Sequence, residues 1–186
     1  KNNFSKYLDT MNKQIKDIEH LVNEFSDFAR MPKPVFKKID LNELIKRSIS
    51  LHELTEKDIN FSFLKKQSAN YINGDEEQLN RVFINLIKNS IESIYEKVNK
   101  SPNYNGKISI EINEDIDYIY LAFTDNGVGF NHIDKKKMIT PYYTTKKEGT
   151  GLGLAIVIKI INDHNGTIEF NSIDNGALVN ISVPKN

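Results

Sequence analysis

The chain has 186 residues, and its 25 basic and 25 acidic side chains give a formal net charge of zero at pH 7. A balanced charge gives no long-range attraction for nucleic acid or for an anionic membrane, so we expect no nucleic-acid partner and no membrane contact by this segment. The chain has no cysteine, which excludes disulfides, thiolate metal sites and a cysteine nucleophile, and which fits a cytoplasmic location.

The first thirty residues predict one long amphipathic helix. Its apolar residues recur at alternating spacings of four and three, which is typical of a helix packed on other helices. Tyr7, Leu21 and Phe28 widen this stripe beyond the needs of a two-stranded coiled coil and favour a multi-helix bundle, although a helix lying on its own domain is the alternative. The stripe consists of Phe4, Leu8, Met11, Ile15, Ile18, Val22 and Phe25.

Two prolines mark the end of this helix. Pro32 and Pro34 each disfavour the helical conformation in the residue before them. The sequence therefore predicts a helical segment over residues 1–31, a hinge over 32–34 and a second domain over 35–186.

The second domain mixes strands and helices. Asp40 and Asp75 stand where each can cap a helix, and Asn175-Gly176 is a typical hairpin turn. Residues 125–150 have weak periodicity and predict a mobile loop. The pattern predicts an α+β fold, a two-layer α/β sandwich preceded by one long amphipathic helix. The predicted strands are 35–39, 59–63, 107–113, 118–124, 167–171 and 177–183, and the predicted helices are 41–55, a second one from residue 76 and 152–164.

Asn85 and Asn89 are four residues apart on the second of these helices and therefore project from one face. A carboxamide oxygen is a neutral ligand that suits Mg²⁺ when phosphates and waters complete the coordination shell. The alternative is a structural role, in which the two side chains bind the backbone.

Asp125 directly follows an apolar predicted strand, and Gly127 and Gly129 follow it in turn. Glycine removes side chains that block close approach to the backbone, so a purine ring can enter there while the carboxylate accepts a bond from its exocyclic amine. A simple Asp-Asn-Gly turn is the alternative interpretation.

A glycine-rich segment, Gly149-Thr150-Gly151-Leu152-Gly153-Leu154, opens the last predicted helix. Helix N-termini present free amide groups and a positive dipole end to phosphate. The segment lacks the Gly-Lys-Ser/Thr of a Walker motif and does not follow a strand as in a dinucleotide fold. Lys146, just upstream, can reach a terminal phosphate as a point charge, although adjacent lysines are also typical of a solvated loop.

Together these motifs resemble the ATP-binding domain of bacterial sensor histidine kinases, which has the Bergerat or GHKL fold. Asn85 and Asn89 match the N box, residues 125–129 the first glycine box, 141–146 the phenylalanine box and 149–154 the second glycine box. The resemblance covers residues 35–186. It implies bound ATP and Mg²⁺, with Asn89 as the metal ligand, Asn85 and Lys146 as catalytic residues, and a mobile lid. The implied nucleotide contacts are Asn89, Asp125, Gly127, Gly129, Thr145, Lys146, Gly149, Thr150, Gly151, Leu152, Gly153 and Leu154.

The resemblance also implies partners. Such kinases dimerise through a hairpin of two helices per subunit, so residues 1–31 are interpreted as the second helix of a homodimer in the parent protein. The histidine that accepts phosphate lies on the first helix, and a response-regulator receiver domain takes the phosphate from it. The wording of the N box is similar to the nitrogen-regulation branch, and upstream segments of such a parent can anchor it in the inner membrane.

None of the four histidines stands in the His-Glu-x-x-Asn-Pro context of a phosphoacceptor. His52-Glu53 matches its start but lacks the Asn-Pro, His20 lies off the apolar stripe, and His132 and His164 fit ordinary surface roles. We therefore predict that the chain binds ATP but does not phosphorylate itself on histidine.

Two departures from the family pattern affect the predicted chemistry. Glu92 and Ser93 stand where many sensor kinases have a basic and an aromatic residue. Related gyrase, Hsp90 and mismatch-repair ATPases have a glutamate base where this chain has Asn85, and a carboxamide is too weak a base to activate water. This favours transfer to an acceptor over hydrolysis. An anti-sigma-type serine kinase and a non-catalytic nucleotide-binding dimerisation module are the alternatives.

Overall fold

The computed structural model describes residues 2–65, 70–100, 104–130, 140–144 and 149–185, with the side chains of residues 2–5, 17, 20, 27 and 100 excepted. These residues form four helices and seven strands. The helices are α1 (Asn2–Ala29), α2 (Leu41–Glu53), α3 (Glu76–Lys100) and α4 (Gly153–Asp163). The strands are β1 (Lys37–Asp40), β2 (Ile59–Lys65), β3 (Tyr71–Gly74), β4 (Gly106–Glu114), β5 (Tyr118–Asp125), β6 (Thr167–Ile173) and β7 (Gly176–Pro184).

Five strands form a mixed sheet in the order β2-β4-β5-β7-β6, in which β2 and β4 are parallel and the other neighbours antiparallel. Side chains of β4 and β5 alternate between buried and more exposed, as expected when one face of a sheet is covered. Helices α2, α3 and α4 cover that face, and Phe83 of α3 stacks on Phe123 of β5 with 5.8 Å between ring centroids. The predicted two-layer α/β sandwich is confirmed.

The two predicted helix caps are present. Asp40 Oδ1 accepts a bond from the backbone N–H of Asn42 at 2.9 Å, and Asp75 Oδ1 accepts one from that of Gln78 at 3.0 Å. Each bond satisfies an amide group that has no partner within its helix. These local contacts explain why α2 and α3 begin where the sequence places them.

The first predicted strand, residues 35–39, was misplaced by about two residues, and β3 was not predicted. Strand β1 is defined by its antiparallel pairing with β3, in which Ile39 lies opposite Ile72. Both strands have four residues, too few to show a clear alternating pattern. Their limits therefore depend on each other rather than on either local sequence.

Helix α1 confirms the long helix predicted for the first thirty residues. Phe28 and Met31, at and just after its end, pack against the domain core. Most of the apolar stripe is solvent-exposed, with Ile15 at 60% and Ile18 at 61%, whereas the side chain of Phe4 lies outside the described part. Among the described helices, none is both long and apolar enough to cross a membrane.

His164 is buried at 3% exposure, so the surface role expected for it was wrong. Its Nε2 accepts a bond from the backbone N–H of Asp75 at 2.9 Å, and its Nδ1 lies 2.8 Å from the carbonyl oxygen of Ile160. These partners require the tautomer with the proton on Nδ1. The ring also lies 5.1 Å from that of Phe36. Through its two hydrogen bonds, His164 joins the end of α4 to the start of α3.

We expect His164→Ala to lower the free energy of unfolding by about 3 kcal/mol, because it leaves a cavity and removes the acceptor for the partly buried Asp75 amide. Urea denaturation measures this change. His52→Ala is the matched control. The half-buried imidazole of His52 binds the Ser48 carbonyl through Nδ1, and its loss should cost less than about 1 kcal/mol. Equal losses in the two variants would contradict the assigned role of His164.

Candidate functional site

Helix α3 carries both asparagines of the first motif, and both are half-buried. Asn85 Nδ2 donates to the carbonyl of Arg81 at 2.8 Å. Its Oδ1 lies against the start of α4, since a Cβ added at Gly153 would be 2.9 Å from that oxygen. The asparagine helix and the glycine-rich segment are therefore in direct contact.

Asp125, the last residue of β5, is buried at 7% exposure. Its Oδ2 accepts a bond from Ser90 Oγ at 2.9 Å and its Oδ1 one from the Gly127 N–H at 2.9 Å. Burial raises the pKa of Asp125, while the bonds from Gly127 and Ser90 act in the opposite direction. Because Ser90 follows Asn89 in α3, the carboxylate lies beside the asparagine motif.

The turn after Asp125 packs tightly on its neighbours. A Cβ added at Gly127 would lie 2.2 Å from Ser93 Oγ, and Gly129, with φ of +70°, would place one 2.4 Å from the Gly176 carbonyl oxygen. The Val128 N–H also donates to Ser93 Oγ at 3.0 Å. Both glycines are thus required by contacts within the protein, a reason that differs from the ligand approach inferred from the sequence.

The glycine-rich segment has a similar close contact. Gly151 has φ of +71°, and an added Cβ there would be 2.6 Å from the carbonyl carbon of Tyr142. The Tyr142 N–H donates to the Gly151 carbonyl at 3.1 Å. Leu152 is fully buried and caps α4 without a side-chain hydrogen bond, so the first amide groups of this helix have no capping side chain.

The remaining predicted site residues differ in exposure, and some lie outside the described part of the chain. Gly149 is exposed, and Thr150 and Leu154 are half-buried. Thr145 and Lys146 lie outside the described residues, as do His132 and half of the predicted mobile loop. Asn85, Asp125 and Gly153 are brought together through α3, with Asn89 on the same helix.

Comparison with known proteins identifies the family. The sequence pattern of the histidine kinase-, DNA gyrase B-, and HSP90-like ATPases matches residues 74–186. The chain belongs to this family. The match begins at the last residue of β3 and includes all three motifs around α3.

Several relatives of this ATPase-family chain are named as sensor histidine kinases. It is 35% identical over 173 residues to nitrogen regulation protein NtrY of Azorhizobium caulinodans, covering 93% of this chain and 22% of that protein. It is 33% identical over 184 residues to sporulation kinase A of Bacillus subtilis, covering 96% of this chain and 29% of that protein. The chain therefore spans less than a third of the length of these relatives.

Solved structures agree with the family assignment. The catalytic domain of histidine kinase ThkA superposes with a TM-score of 0.71 at 31% identity, covering 81% of this chain and 96% of that one. A structure of ThkA in complex with response regulator protein TrrA gives a TM-score of 0.77 at 27% identity, covering 97% of this chain and 51% of that one. The second match extends over nearly the whole chain, α1 included.

Sequence reasoning missed the roles of three residues of α3 that bind the segment from Asp125 to Val128. Ser90 binds Asp125, Ser93 binds Val128, and Lys97 binds the backbone carbonyls of Asn126 and Gly127. They are spaced at three and four residues, so they share one face of the helix. That spacing was visible in the sequence, but their partners 29 to 35 residues away were not.

Helix α1 also reaches the site. Thr150 Oγ1 donates a hydrogen bond to the carboxylate of Glu24, and the rings of Phe25 and Tyr142 lie 6.3 Å apart between centroids. A carboxylate from α1 therefore lies beside the glycine-rich segment.

An open cleft of about 480 Å³ lies elsewhere, between α2 and the first half of α3, and none of the predicted site residues lines it. Glu76 at its edge pairs with Arg47 and with Lys37, the latter at 2.8 Å. Hydrogen bonds from these two cations lower the pKa of Glu76 to about 2. This cleft is therefore separate from the three motifs.

Proposed function

We propose that the chain is the ATP-binding catalytic part of a sensor histidine kinase, which transfers the γ-phosphate of ATP to a histidine on another helix. One observation carries the proposal: α3 contacts the buried carboxylate of Asp125 on one side and the first residue of α4 on the other. The helix that carries the asparagine motif thereby contacts both of the other motifs, which are far from it in sequence. The family match and the sensor-kinase relatives support the same interpretation.

In this proposal the adenine amine donates to the Asp125 carboxylate, which accepts hydrogen bonds from Ser90, Gly127 and Ala177 and has lone-pair sites for about one more. The triphosphate lies at the N-terminus of α4, where amide groups without a capping side chain meet negative charge. Lys146 serves as a point charge for the terminal phosphate. The proposed nucleotide contacts are Asn89, Asp125, Gly127, Gly129, Thr145, Lys146, Gly149, Thr150, Gly151, Leu152, Gly153 and Leu154.

Asn89 is the proposed protein ligand for Mg²⁺, which supplies charge neutralisation on the phosphates when it is bound. The donor set fits such an ion. The described residues contain no group of three or more acidic or histidine side chains able to hold a metal by themselves. A neutral carboxamide oxygen can complete the shell of Mg²⁺, because this ion keeps several waters and takes its charged ligands from the phosphates of the substrate.

The side chain at position 85 bears on whether the γ-phosphate of ATP is transferred to an acceptor or to water. It lies against Gly153 at the proposed phosphate end, where a glutamate could activate water but a neutral carboxamide cannot. Catalysis then consists of positioning and charge stabilisation for an acceptor supplied from outside. This argues against a hydrolase. It also argues against an anti-sigma-type serine kinase, in which we expect a carboxylate at the position of Asn85.

We further propose that residues 1–31 form the second helix of the dimerisation hairpin, joined by the hinge 32–34 to the catalytic domain 35–186. The exposed apolar stripe of α1 supports this role, because a bundle of helices from two subunits would cover it. ThkA has been solved with a response regulator. By analogy, a receiver domain is the proposed final acceptor of phosphate from the parent protein.

A transfer assay in trans tests the proposal. The chain is incubated with Mg²⁺ and γ-labelled ATP, alone and with a separately produced hairpin domain that bears a phosphoacceptor histidine. We expect acid-labile label on the hairpin and none on the chain itself. Label retained on the chain would contradict the proposed absence of an acceptor, and ATP binding without transfer would favour the non-catalytic module.

The contact between α1 and the glycine-rich segment leads to a separate expectation. The Glu24 carboxylate beside Thr150 places negative charge near the proposed phosphates, so Glu24→Gln should tighten ATP binding about threefold. Calorimetric titration at low ionic strength measures it. Glu19→Gln, on an exposed position of the same helix, is the control that should bind as the wild type does. Weaker binding by Glu24→Gln would contradict the electrostatic argument.

A further inference from the structure

The ammonium group of Lys97 binds the turn that follows Asp125. Lys97 Nζ lies 2.8 Å from the carbonyl oxygen of Asn126 and 3.0 Å from that of Gly127, and it also donates to Asn175 Oδ1. Three acceptors match the three donors of an ammonium. Lys97 thus connects α3 with this turn and with the turn between β6 and β7.

Tyr104 completes this arrangement. Its hydroxyl donates to the same Asn126 carbonyl at 2.6 Å, and Lys97 Nζ lies 4.6 Å from the centroid of its ring. A half-buried cation with two backbone carbonyls, a carboxamide and an aromatic face has well-defined geometry. The group therefore restricts the backbone on both sides of the Asn126–Gly127 peptide.

The position of Lys97 along α3 explains what this restriction achieves. Ser90 binds the Asp125 carboxylate and Ser93 binds the Val128 amide, so successive residues of the helix face hold successive residues of the turn. Asp125 itself accepts from the Gly127 N–H at 2.9 Å. Any movement of the Gly127 peptide therefore moves the donor that orients the carboxylate.

We infer that Lys97 is a positioning residue for adenine recognition. It fixes the carbonyl groups of Asn126 and Gly127, so that the Asp125 carboxylate keeps the orientation in which it accepts a hydrogen bond from the adenine amine. The inference rests on the proposed function, because it assumes that Asp125 receives the adenine amine. Lys97 itself is not expected to touch the nucleotide. Its effect on the recognition of the base is indirect, through the turn and the Asp125 carboxylate.

The test compares three variants of the whole chain. Lys97→Met keeps the length of the side chain but removes its donors, and Lys97→Arg retains donors. Lys107→Met is the matched control, because it removes the same charge from an exposed side chain next to the turn, while Lys107 binds Asn126 through its backbone only. Affinities for ADP and GDP are measured well below the unfolding midpoint of each variant. Amide hydrogen exchange over residues 125–129 is measured without nucleotide.

We expect Lys97→Met to weaken ADP binding about tenfold, to reduce the preference for ADP over GDP, and to accelerate exchange in the turn. Lys97→Arg should recover most of the affinity, and Lys107→Met should match the wild type in all three measurements. In the transfer assay, KM for ATP should rise in Lys97→Met while kcat stays near the wild-type value. A merely structural role would not change base preference in folded protein.

Three results would overturn the inference: unchanged ADP affinity in Lys97→Met, weaker binding without faster exchange, or an equal loss of affinity in Lys107→Met. Failure of the wild type to bind any adenine nucleotide would instead overturn the proposed function. The exchange measurement would still decide in that case whether Lys97 holds the turn, so the two failures are distinguishable.

Discussion

Replacement of Asp125 by asparagine is expected to weaken ATP binding about 100-fold while the fold is retained. The loss is large because the variant loses a hydrogen bond to a charged acceptor. The nitrogen of the introduced amide is itself a donor, so it cannot accept a bond from the adenine amine. The fold survives because Asn can accept from the Gly127 N–H through its oxygen and donate to Ser90 Oγ through its nitrogen. Calorimetry with Mg²⁺ and ATP measures the affinity, and thermal unfolding should shift by less than about 4 °C.

Asp117→Asn is the control for this substitution. Asp117 is exposed in the turn between β4 and β5, and its variant should bind ATP as the wild type does. Wild-type affinity in Asp125→Asn would contradict the adenine assignment. Global unfolding of that variant would contradict the exchange of hydrogen bonds described above.

Because the pKa of Asp125 is raised, the difference in stability between Asp125→Asn and the wild type depends on pH. A carboxyl group whose folded-state pKa lies above its ordinary value of 3.8 contributes stability that is fully present below that value. The contribution is lost as pH rises through the folded-state pKa. The stability of Asp125→Asn relative to the wild type should therefore increase with pH over this window, whereas the affinity of the wild type for ATP should increase as the carboxylate ionises.

Replacement of Asn89 by alanine should slow phosphoryl transfer about 100- to 1000-fold, because a metal ligand that acts on developing phosphate charge is lost. ATP affinity should fall less, since the contacts to adenine and to the α4 N-terminus remain. Single-turnover transfer to a separate hairpin and equilibrium titration measure the two effects. Asn99→Ala, an exposed asparagine on the same helix, should leave both unchanged.

A transfer rate in Asn89→Ala within about threefold of the wild type would exclude Asn89 as the metal ligand. A parallel loss in Asn99→Ala would show instead that α3 is sensitive to any shortening of an asparagine. The pair of variants therefore separates metal binding from a general effect on the helix.

The sequence predicts features whose cause is local. The caps at Asp40 and Asp75 depend on amides two or three residues away, and the buried face of α3 follows from its periodicity. The order of the three motifs was sufficient to predict the family and the sandwich. The caps and the helix face use contacts within a few turns of one helix, whereas the family was inferred from the identity and order of the motifs.

The features that were missed depend on partners distant in sequence. Strand β3 exists through its pairing with β1, and His164 is buried because it accepts a bond from Asp75, 89 residues earlier. The contact from Thr150 to Glu24 spans 126 residues. No periodicity within a window of a few turns contains such information. These long-range contacts could therefore be identified only from the structure.

The most direct test of the account is a titration of the nitrogen-15-labelled chain with Mg²⁺ and a non-hydrolysable ATP analogue, followed by amide chemical shifts. The central claim is that the segments around Ser90, Gly127 and Gly153 bind one nucleotide together. We expect their resonances to shift in concert and to fit a single dissociation constant. Shifts confined to one of the three segments, or located instead around the cleft between α2 and α3, would contradict it.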